Sequence, residues 1–310
     1  MITTVSLNPA VDKTILLTDF EHGGVNRITG SREDIGGKGI NVAKILNRLH
    51  VPTRVCGFIG NQNKKFVLEL LSHEHLDYRF TEVDGLTRTN TKIVELDRGI
   101  TTDLNESGFY IEDEIIKKFK EELLDEAKNS DYIVFSGSIP RGLSIATYQE
   151  LITTVRDDVK TVLDADGPLL VEGMKASPYM IKPNIHELEA AFDVTLGADA
   201  EIISFCQSLA HTYGIRLILV SMGEKGSLLI TETDCYQAEP IKVDVKSTVG
   251  AGDSMIAGML FGIHHDLPLE EALAYAAASG TLAVTKEGTQ SFFLEEVKEM
   301  LSKVRIKKIS

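Results

Sequence analysis

The sequence predicts an α/β protein of the doubly wound type, a three-layer α/β/α architecture in which helices cover both faces of a mostly parallel sheet. Short apolar runs alternate along the chain with longer segments whose apolar residues recur at helical spacing. A strand that is apolar throughout is buried on both faces, as in a parallel sheet between two helical layers. Two glycine-rich loops also stand directly before predicted helices, which is where ligands bind in such sheets.

The predicted elements follow one another along the chain. Strands of the main sheet are predicted at 2–7, 54–59, 132–135, 161–163, 179–181 and 217–220. Helices are predicted at 39–49, 64–73, 112–128, 146–156, 187–192, 199–213, 253–264 and 269–285. Two polar β-rich segments, 10–35 and 88–105, are expected to form a small inserted sheet that acts as a lid, a dimerisation surface or both. Since no repeat or linker interrupts the pattern, residues 1–310 are predicted to be one domain.

The composition predicts a globular protein of the cytoplasm. Hydrophobic residues make up 43% of the chain and charged residues 25%, and the first residues lack the basic and long apolar regions of a signal peptide. A formal net charge of −14 argues against nucleic acid and anionic membranes as partners, because both require a basic face. Cys56, Cys206 and Cys235 are widely spaced among apolar neighbours, and we expect three reduced, buried thiols.

The segment from Ser247 to Asp253 places a carboxylate where a glycine-rich loop turns into an apolar helix. Gly250 and Gly252 allow backbone amides to approach an anion closely, and the N-terminus of the helix favours negative charge at the same place. Asp253 would repel a phosphate as a ligand, but it could take the proton from a hydroxyl that attacks phosphorus. We therefore predict phosphoryl transfer with Asp253 as the general base, although a turn with an N-cap aspartate has the same pattern.

Three further clusters open helices or follow strands. Residues 36–41 form a second glycine cluster that carries Lys38 and Asn41, which suggests a second ligand. Asn184 and Glu187 would share a face of a first helical turn and could hold the water shell of Mg²⁺ beside ATP, or they could form an ordinary capping box. The turn at 221–226 could let backbone approach a nucleotide, or it could be a plain glycine turn.

Polar residues near the first strand are candidates for binding a phosphorylated sugar. Asp12 follows this strand and is suited to accept hydrogen bonds from sugar hydroxyls, although an aspartate at such a place is usually a turn residue. Arg27, Lys38 and Arg88 could neutralise a phosphate already on the substrate, although each alone is typical of a surface charge. The loop 136–140 adds hydroxyl groups and a glycine at the same edge, or it is a plain strand-to-helix connection.

Together these residues resemble the PfkB, or ribokinase-like, family of carbohydrate kinases, nearly from end to end. The C-terminal signature of the family matches from Ser247 to Gly258. The N-terminal signature matches residues 36–43 with Gly60, except that His50 stands where glycine or serine is usual. The resemblance implies a ribokinase-like fold, ATP and Mg²⁺, and a β lid that often serves as a dimer interface, so a homodimer through the lid is expected.

The resemblance also implies a role for each candidate residue. The catalytic residues would be Gly250, Ala251, Gly252 and Asp253. The phosphosugar would bind to Asp12, Arg27, Gly37, Lys38, Asn41, Arg88, Asn90 and Ser138. The nucleotide would bind to Lys182, Asn184, Ser221, Gly223, Gly226, Thr248, Gly250 and Gly252, with Asn184 and Glu187 near the metal.

Segments near Asp12, Arg27 and Arg88 resemble the branch of the family that acts on phosphorylated ketohexoses. The expected reaction converts fructose 1-phosphate and ATP to fructose 1,6-bisphosphate and ADP, with tagatose 6-phosphate as the alternative substrate. A non-catalytic sugar-phosphate sensor is a third interpretation, but such a protein would be expected to lose the base or the metal residues. The sequence argues against a nicotinamide-dependent dehydrogenase, because no Gly-x-Gly-x-x-Gly follows Leu7.

Overall fold

Ten strands form the main sheet of the computed structural model, which describes residues 1–309. Their spatial order is β14 (Ile306–Lys308), β13 (Cys235–Ala238), β12 (Ser227–Ile230), β11 (Leu217–Ser221), β10 (Met180–Ile181), β9 (Lys160–Asp164), β8 (Tyr132–Ser136), β1 (Ile2–Ser6), β4 (Thr53–Gly60) and β5 (Asp77–Val83). The strands from β11 to β5 run parallel, and β12, β13 and β14 add an antiparallel edge. The predicted mostly parallel sheet is therefore confirmed.

Helices cover both faces of this sheet. They are α1 (Lys38–Arg48), α2 (Lys64–His73), α3 (Asp113–Ala127), α4 (Thr147–Val155), α5 (Gly167–Met174), α6 (Ile185–Phe192), α7 (Asp199–Tyr213), α8 (Ala251–His264), α9 (Leu269–Val284) and α10 (Leu294–Leu301). Side chains of a strand point alternately to the two faces. Ile133 and Phe135 of β8 accordingly pack with the layer of α3 to α7, whereas Val134 packs with α1, α8, α9 and α10. The predicted three layers are confirmed.

Two of the elements that the sequence pattern did not predict, β5 and α5, lack a clear apolar pattern. β5 is an edge strand with mostly polar, exposed residues, so it lacks the apolar run that marks the inner strands. α5 carries Pro168 in its first turn and Gly173 near its end, and the low helix propensity of both residues weakens the helical signal in the sequence. Residues 298–308, for which no element was predicted, contain the end of α10 and the edge strand β14.

Two helix ends near the predicted motifs depend on left-handed backbone. α8 begins at Ala251 rather than at the predicted position 253, because Gly250 is its N-cap and has a φ of 78°. His50, after the end of α1, has a φ of 60° in the region that favours glycine. The departure of His50 from the family signature is therefore accommodated with local strain at the end of α1.

Four strands form the small sheet, which is separate from the main sheet. Their order is β3 (Gly30–Gly36), β2 (Ala10–Leu17), β6 (Arg88–Glu95) and β7 (Ile100–Asn105). β2 and β6 pair in parallel, and each also pairs with an antiparallel neighbour, β3 or β7. The second sheet expected from the sequence is present, built from the two predicted segments, whereas the single domain stays a prediction.

All three cysteines are buried and free, as predicted. Burial raises the pKa of each thiol above its ordinary value. Among residues 1–309, no helix is both long enough and apolar enough to cross a membrane.

Lys44 connects the small sheet to the main domain. Its Nζ donates a hydrogen bond of 2.6 Å to the carbonyl oxygen of Ile35, at the end of β3, and lies 3.5 Å from Oε1 of Glu74. The Lys44 side chain is only 2% exposed. A buried ammonium group needs such partners, so this contact fixes the point at which β3 leads into α1.

We predict that Lys44→Met lowers the free energy of unfolding by about 1–3 kcal/mol, because it leaves the Ile35 carbonyl without its donor. Urea unfolding of both variants measures the effect. Lys13→Met is the matched control, since Lys13 forms an exposed pair with Glu33 at 3.0 Å in the same sheet. We expect this control to cost less than about 1 kcal/mol. Equal losses in the two variants would show that the Lys44 contact has no special weight.

Candidate active site

A cleft of about 1850 Å³ lies between the small sheet and the carboxyl edge of the main sheet. Ser6, Ser136, Asp164 and Ser221 reach it from the last positions of β1, β8, β9 and β11. The carboxyl ends of parallel strands meet at one edge, so residues distant in sequence converge there. Both predicted glycine loops line this cleft.

The first turn of α8 forms one wall of the cleft. Gly250 is the N-cap, and the amide of Ser254 donates to its carbonyl oxygen at 2.9 Å. The first amides of a helix have no intrahelical acceptor, and they carry the positive end of the helix dipole. The residues at this position are Ala251, Gly252 and Asp253, so a site suited to an anion lies beside a carboxylate.

The Asp253 carboxylate is buried and accepts a hydrogen bond of 2.9 Å from Nδ2 of Asn41. Burial, together with the negative charge of Asp164, raises the pKa of Asp253 to about 6. The hydrogen bond from Asn41 and the charges of Lys38 and Lys182 act in the opposite direction. Asp253 is therefore ionised at neutral pH and more basic than an exposed aspartate, as a general base requires.

Asp164 is a fully buried carboxylate that the sequence analysis missed. Lys182 Nζ lies 3.2 Å from its Oδ1, Lys38 Nζ lies 3.6 Å from its Oδ2, and Ser136 Oγ donates to Oδ2 at 2.9 Å. Burial opposes ionisation, but these three groups together hold the pKa of Asp164 below its ordinary value. The one signal in the sequence is an aspartate directly after an apolar strand, as at Asp12 after the first strand.

The lysines of this cluster stand at the entrance of the anion site. A Cβ atom added to Gly252 would lie 3.0 Å from Lys182 Nζ, so the ammonium group packs directly against the first turn of α8. Asp164, followed by Asp253, raises the pKa of Lys38, which keeps this ammonium group charged. Two lysines and the helix N-terminus thus place positive charge around one point of the cleft.

The predicted nucleotide residues gather on the side of the cleft formed by β11 and β12. Ser221 ends β11 and pairs with Asn184, and the amide of Ser221 donates to the Pro183 carbonyl at 3.1 Å. Gly223 and Gly226 bound a single 3₁₀ turn, and both have positive φ. These residues line the cleft together with Thr248. The structure therefore brings the predicted nucleotide set together.

Asn184 and Glu187 form the capping box that the sequence analysis kept as the alternative. Asn184 Oδ1 accepts from the Glu187 amide, and Glu187 Oε2 accepts from the Asn184 amide, both at 2.8 Å. Among residues 1–309, no hydrogen bond to Glu187 Oε1 is present. The capping box therefore occupies one oxygen of each residue and leaves a carboxylate oxygen at the cleft, which Glu187 lines.

The cleft-facing surface of the small sheet holds Asp12. The strand register aligns Asp12 with Asp34 on one side and with Asn90 on the other, and Asn90 Nδ2 donates to Asp12 Oδ1 at 3.1 Å. Burial raises the pKa of Asp12 against the lowering effect of this hydrogen bond and of nearby cations. Asn105, beside Asn90, continues the row of polar side chains.

Arg88 connects the small sheet to the loops after β1 and β8. Its Nη2 donates to the Asn8 carbonyl at 3.1 Å and to Ser138 Oγ at 3.3 Å. Asn8 Nδ2 also donates to Ser138 Oγ at 3.4 Å, and Gly37 and Lys38 lie nearby in the cleft lining. Arg27 is the predicted phosphosugar residue that does not line the cleft, because it is exposed in the connection between β2 and β3.

We predict that Asp164→Asn lowers the free energy of unfolding by about 3–5 kcal/mol, because it leaves the buried Lys182 ammonium group without a counter-charge. Urea unfolding measures the loss. Asp125→Asn is the control, since Asp125 forms an exposed pair with Arg79 at 3.0 Å. This control should change stability by less than about 1 kcal/mol. A loss as small for Asp164→Asn would contradict the importance of the buried cluster.

Known proteins show the family of the chain. The family described as pfkB family carbohydrate kinase matches residues 5–296. The chain is 36% identical to 1-phosphofructokinase of Bacillus subtilis, with 100% of both chains covered. It is 37% identical to 1-phosphofructokinase of Haemophilus influenzae, with 98% of this chain and 97% of the other covered. Phosphofructokinase-2 from Escherichia coli, 24% identical, shares the fold with a TM-score of 0.91 over 97% of this chain and 98% of that chain. The chain therefore belongs to the pfkB family of carbohydrate kinases.

Proposed function

We propose that the protein transfers the γ-phosphoryl group of ATP to the C6 hydroxyl of fructose 1-phosphate, which gives fructose 1,6-bisphosphate and ADP. The observation that carries this proposal is the buried carboxylate of Asp253, with a raised pKa, at the N-terminus of α8, where the Ala251 amide reaches the Thr248 carbonyl only at 3.4 Å. Such a pair supplies a base for a hydroxyl and a site for a phosphoryl group within one helical turn. Full-length relatives named 1-phosphofructokinase support fructose 1-phosphate as the substrate.

In this reaction Asp253 accepts the proton of the C6 hydroxyl while the hydroxyl oxygen of the sugar forms a bond to the γ-phosphorus. The bond between this phosphorus and the bridging oxygen to ADP breaks, and its electron pair leaves with ADP. The amides of Ala251 and Gly252 and the Lys182 ammonium group stand where they would stabilise the charge on the transferred group. Asp253 later releases its proton to solvent.

ATP would lie along the nucleotide side described above, with its phosphates directed toward α8. At Gly223 and Gly226 no side chain covers the backbone, so the adenine and ribose of ATP could lie against it. Thr248 and Lys182 lie nearer the phosphates. The positive φ of Gly226 requires glycine there, since a Cβ would lie 2.1 Å from the Ala238 carbonyl oxygen. The turn therefore keeps its shape without a side chain that would fill the cleft.

Mg²⁺ would accompany ATP and would neutralise charge on its phosphates. Among residues 1–309, no group of three or more His, Cys, Asp or Glu side chains is arranged to hold a metal ion. This fits Mg²⁺, which keeps several waters and usually binds through one or two carboxylates together with substrate phosphates. The free Oε1 of Glu187 is the protein oxygen that we assign to it, with Asn184 holding Glu187 in place through the capping box.

The phosphosugar would occupy the side of the cleft covered by the small sheet. Asp12 and Asn90 present a carboxylate and an amide to its hydroxyls. Arg88 with Ser138 would bind its C1 phosphate, since a guanidinium group and a hydroxyl already converge there. Gly37 and Lys38 would lie between the two substrates. Arg27 stays a candidate for the phosphosugar only through another copy of the chain or a movement of its loop.

The small sheet would act as a lid and as the interface of a homodimer. Ile100 and Leu104 of β7 are 48% and 55% exposed, on the face opposite to the cleft-lining Asp103 and Asn105. An exposed apolar face on a projecting sheet is a liability unless another surface covers it. A second copy of the chain would cover it and would hold the two lids together.

The first test is ADP release from MgATP with fructose 1-phosphate, tagatose 6-phosphate and fructose 6-phosphate in parallel. We expect the highest kcat/KM with fructose 1-phosphate. Asp253→Asn should lower kcat by about 10²–10⁴-fold without loss of folding, because it removes the base. Asp113→Asn is the control, since Asp113 also lies in the first turn of a helix. A preference for tagatose 6-phosphate would overturn the substrate, and no turnover of any sugar would favour the sensor interpretation.

We predict that Arg88→Gln raises the KM for the phosphosugar by roughly 10- to 100-fold, because the charged hydrogen bonds between the Arg88 guanidinium group and the sugar phosphate are lost. The KM for ATP should stay nearly unchanged. Steady-state kinetics with each substrate varied in turn measures this split. Arg141→Gln is the control, since Arg141 donates to the Gly108 carbonyl at 3.0 Å outside the main cleft. A change confined to the KM for ATP would rule out the assignment.

We predict that Leu104→Glu converts a dimer in solution to a monomer, because a charge on the apolar face of β7 opposes the burial of this face. Light scattering after size-exclusion chromatography measures the mass of both species. Leu124→Glu is the control, because Leu124 is exposed on α3, on the main domain. A wild-type protein that is monomeric at micromolar concentration would contradict the proposed interface.

A further inference from the structure

Asn41 touches the base directly, whereas the sequence analysis placed it at the sugar. Its Nδ2 donates to Asp253 Oδ2 at 2.9 Å, and the two residues lie 212 positions apart in the chain. Asn41 belongs to the first turn of α1, where its own amide donates to the Gly37 carbonyl at 2.9 Å. The α1 helix packs against α8, so the two first turns meet with this hydrogen bond between them.

From this contact we propose that Asn41 is a positioning residue for the general base, a role that rests on the function proposed above. The amide holds Oδ2 of Asp253 and turns Oδ1 toward the substrate. Among residues 1–309, no hydrogen bond reaches Asp253 Oδ1, which leaves this oxygen to take the proton of the attacking hydroxyl. A hydrogen bond to the ionised form of a carboxylate also favours that form.

The second polar atom of Asn41 supports the same assignment. Asn41 Oδ1 is buried and has no hydrogen-bond partner in the protein, although Asn41 lines the cleft. A buried carbonyl oxygen without a hydrogen-bond donor destabilises the fold. The hydrogen bond from Nδ2 to Asp253 compensates for part of this cost, and a hydrogen bond from a ligand to Oδ1 would compensate for the rest. A hydroxyl of the bound sugar would be the donor, which would connect the substrate and the base through one side chain.

The groups around Asp253 have opposite effects on its pKa, so the contribution of the Asn41 hydrogen bond can be measured as a change in that pKa. Burial, together with Asp164, raises the pKa of Asp253 to about 6 against Asn41, Lys38 and Lys182, which lower it. Asp253 must be ionised to act as a base, so kcat/KM rises with pH through this pKa. Loss of the Asn41 hydrogen bond raises the pKa and moves the acidic limb of the profile to higher pH.

The experiment compares the wild type with Asn41→Leu, which has a similar volume and no amide. We expect the acidic limb of kcat/KM to move up by about one to two pH units, so that kcat/KM at pH 6 falls by roughly 5- to 50-fold. Asn47→Leu is the matched control, since Asn47 lies on the same helix and donates to the Glu74 carbonyl at 3.1 Å. The control should leave the profile in place.

A direct titration separates this inference from the proposed function. The Asp253 carboxyl carbon is followed by NMR in protein without substrates, with Asp253→Asn for assignment. We expect its midpoint to rise in Asn41→Leu, and to rise further in Asn41→Asp, where two carboxylates share the site. An unchanged midpoint in both variants would overturn the positioning role, as would a higher KM for the sugar with an unmoved acidic limb. Failure of the wild type to phosphorylate any sugar would instead overturn the proposed function.

Discussion

The ionised, buried carboxylate of Asp164 is the constraint on which the rest of the site depends. It has partners from three parts of the chain, namely Lys38 at the start of α1, Lys182 after β10 and Ser136 at the end of β8. A buried ion pair adds little net stability compared with an apolar contact of the same volume, but the loss of one partner is expensive. The cluster is therefore best understood as a device that fixes the positions of two positive charges against the first turn of α8.

The same carboxylate also affects the base. Asp164 supplies negative charge that raises the pKa of Asp253, while the lysines it holds act in the opposite direction. In a chain with a net charge of −14, Lys38 and Lys182 thereby offset the charges of Asp164 and Asp253 at the point where two anionic substrates would meet. The balance is local, because each of these groups lies at the carboxyl edge of one sheet.

The sequence was sufficient for the sheet type and for the helical layers on both of its faces, and it predicted many of the residues that line the cleft, because apolar runs and glycine-rich loops depend on local pattern. The sequence was insufficient for features that depend on contacts between distant parts of the chain. The edge strands β5 and β14 are mostly polar, so they carry no continuous apolar run. Asp164 is one aspartate after a strand, and only the convergence of three elements makes it a charged centre. Arg27 has the right chemistry for a phosphate, but the connection that carries it does not face the cleft.

The parallel seam between β2 and β6 has a consequence for the order of folding. Asp12 and Asn90 face each other across this seam although they are 78 positions apart. Each hairpin can form from neighbouring residues, but the seam joins distant segments, which the pairing of β1 with β4 and of β4 with β5 brings to the same edge of the main sheet. The small sheet should therefore be among the last parts of the molecule to assemble. During synthesis, the edge of β2 emerges well before its partner and stays open to unwanted pairing until β6 arrives.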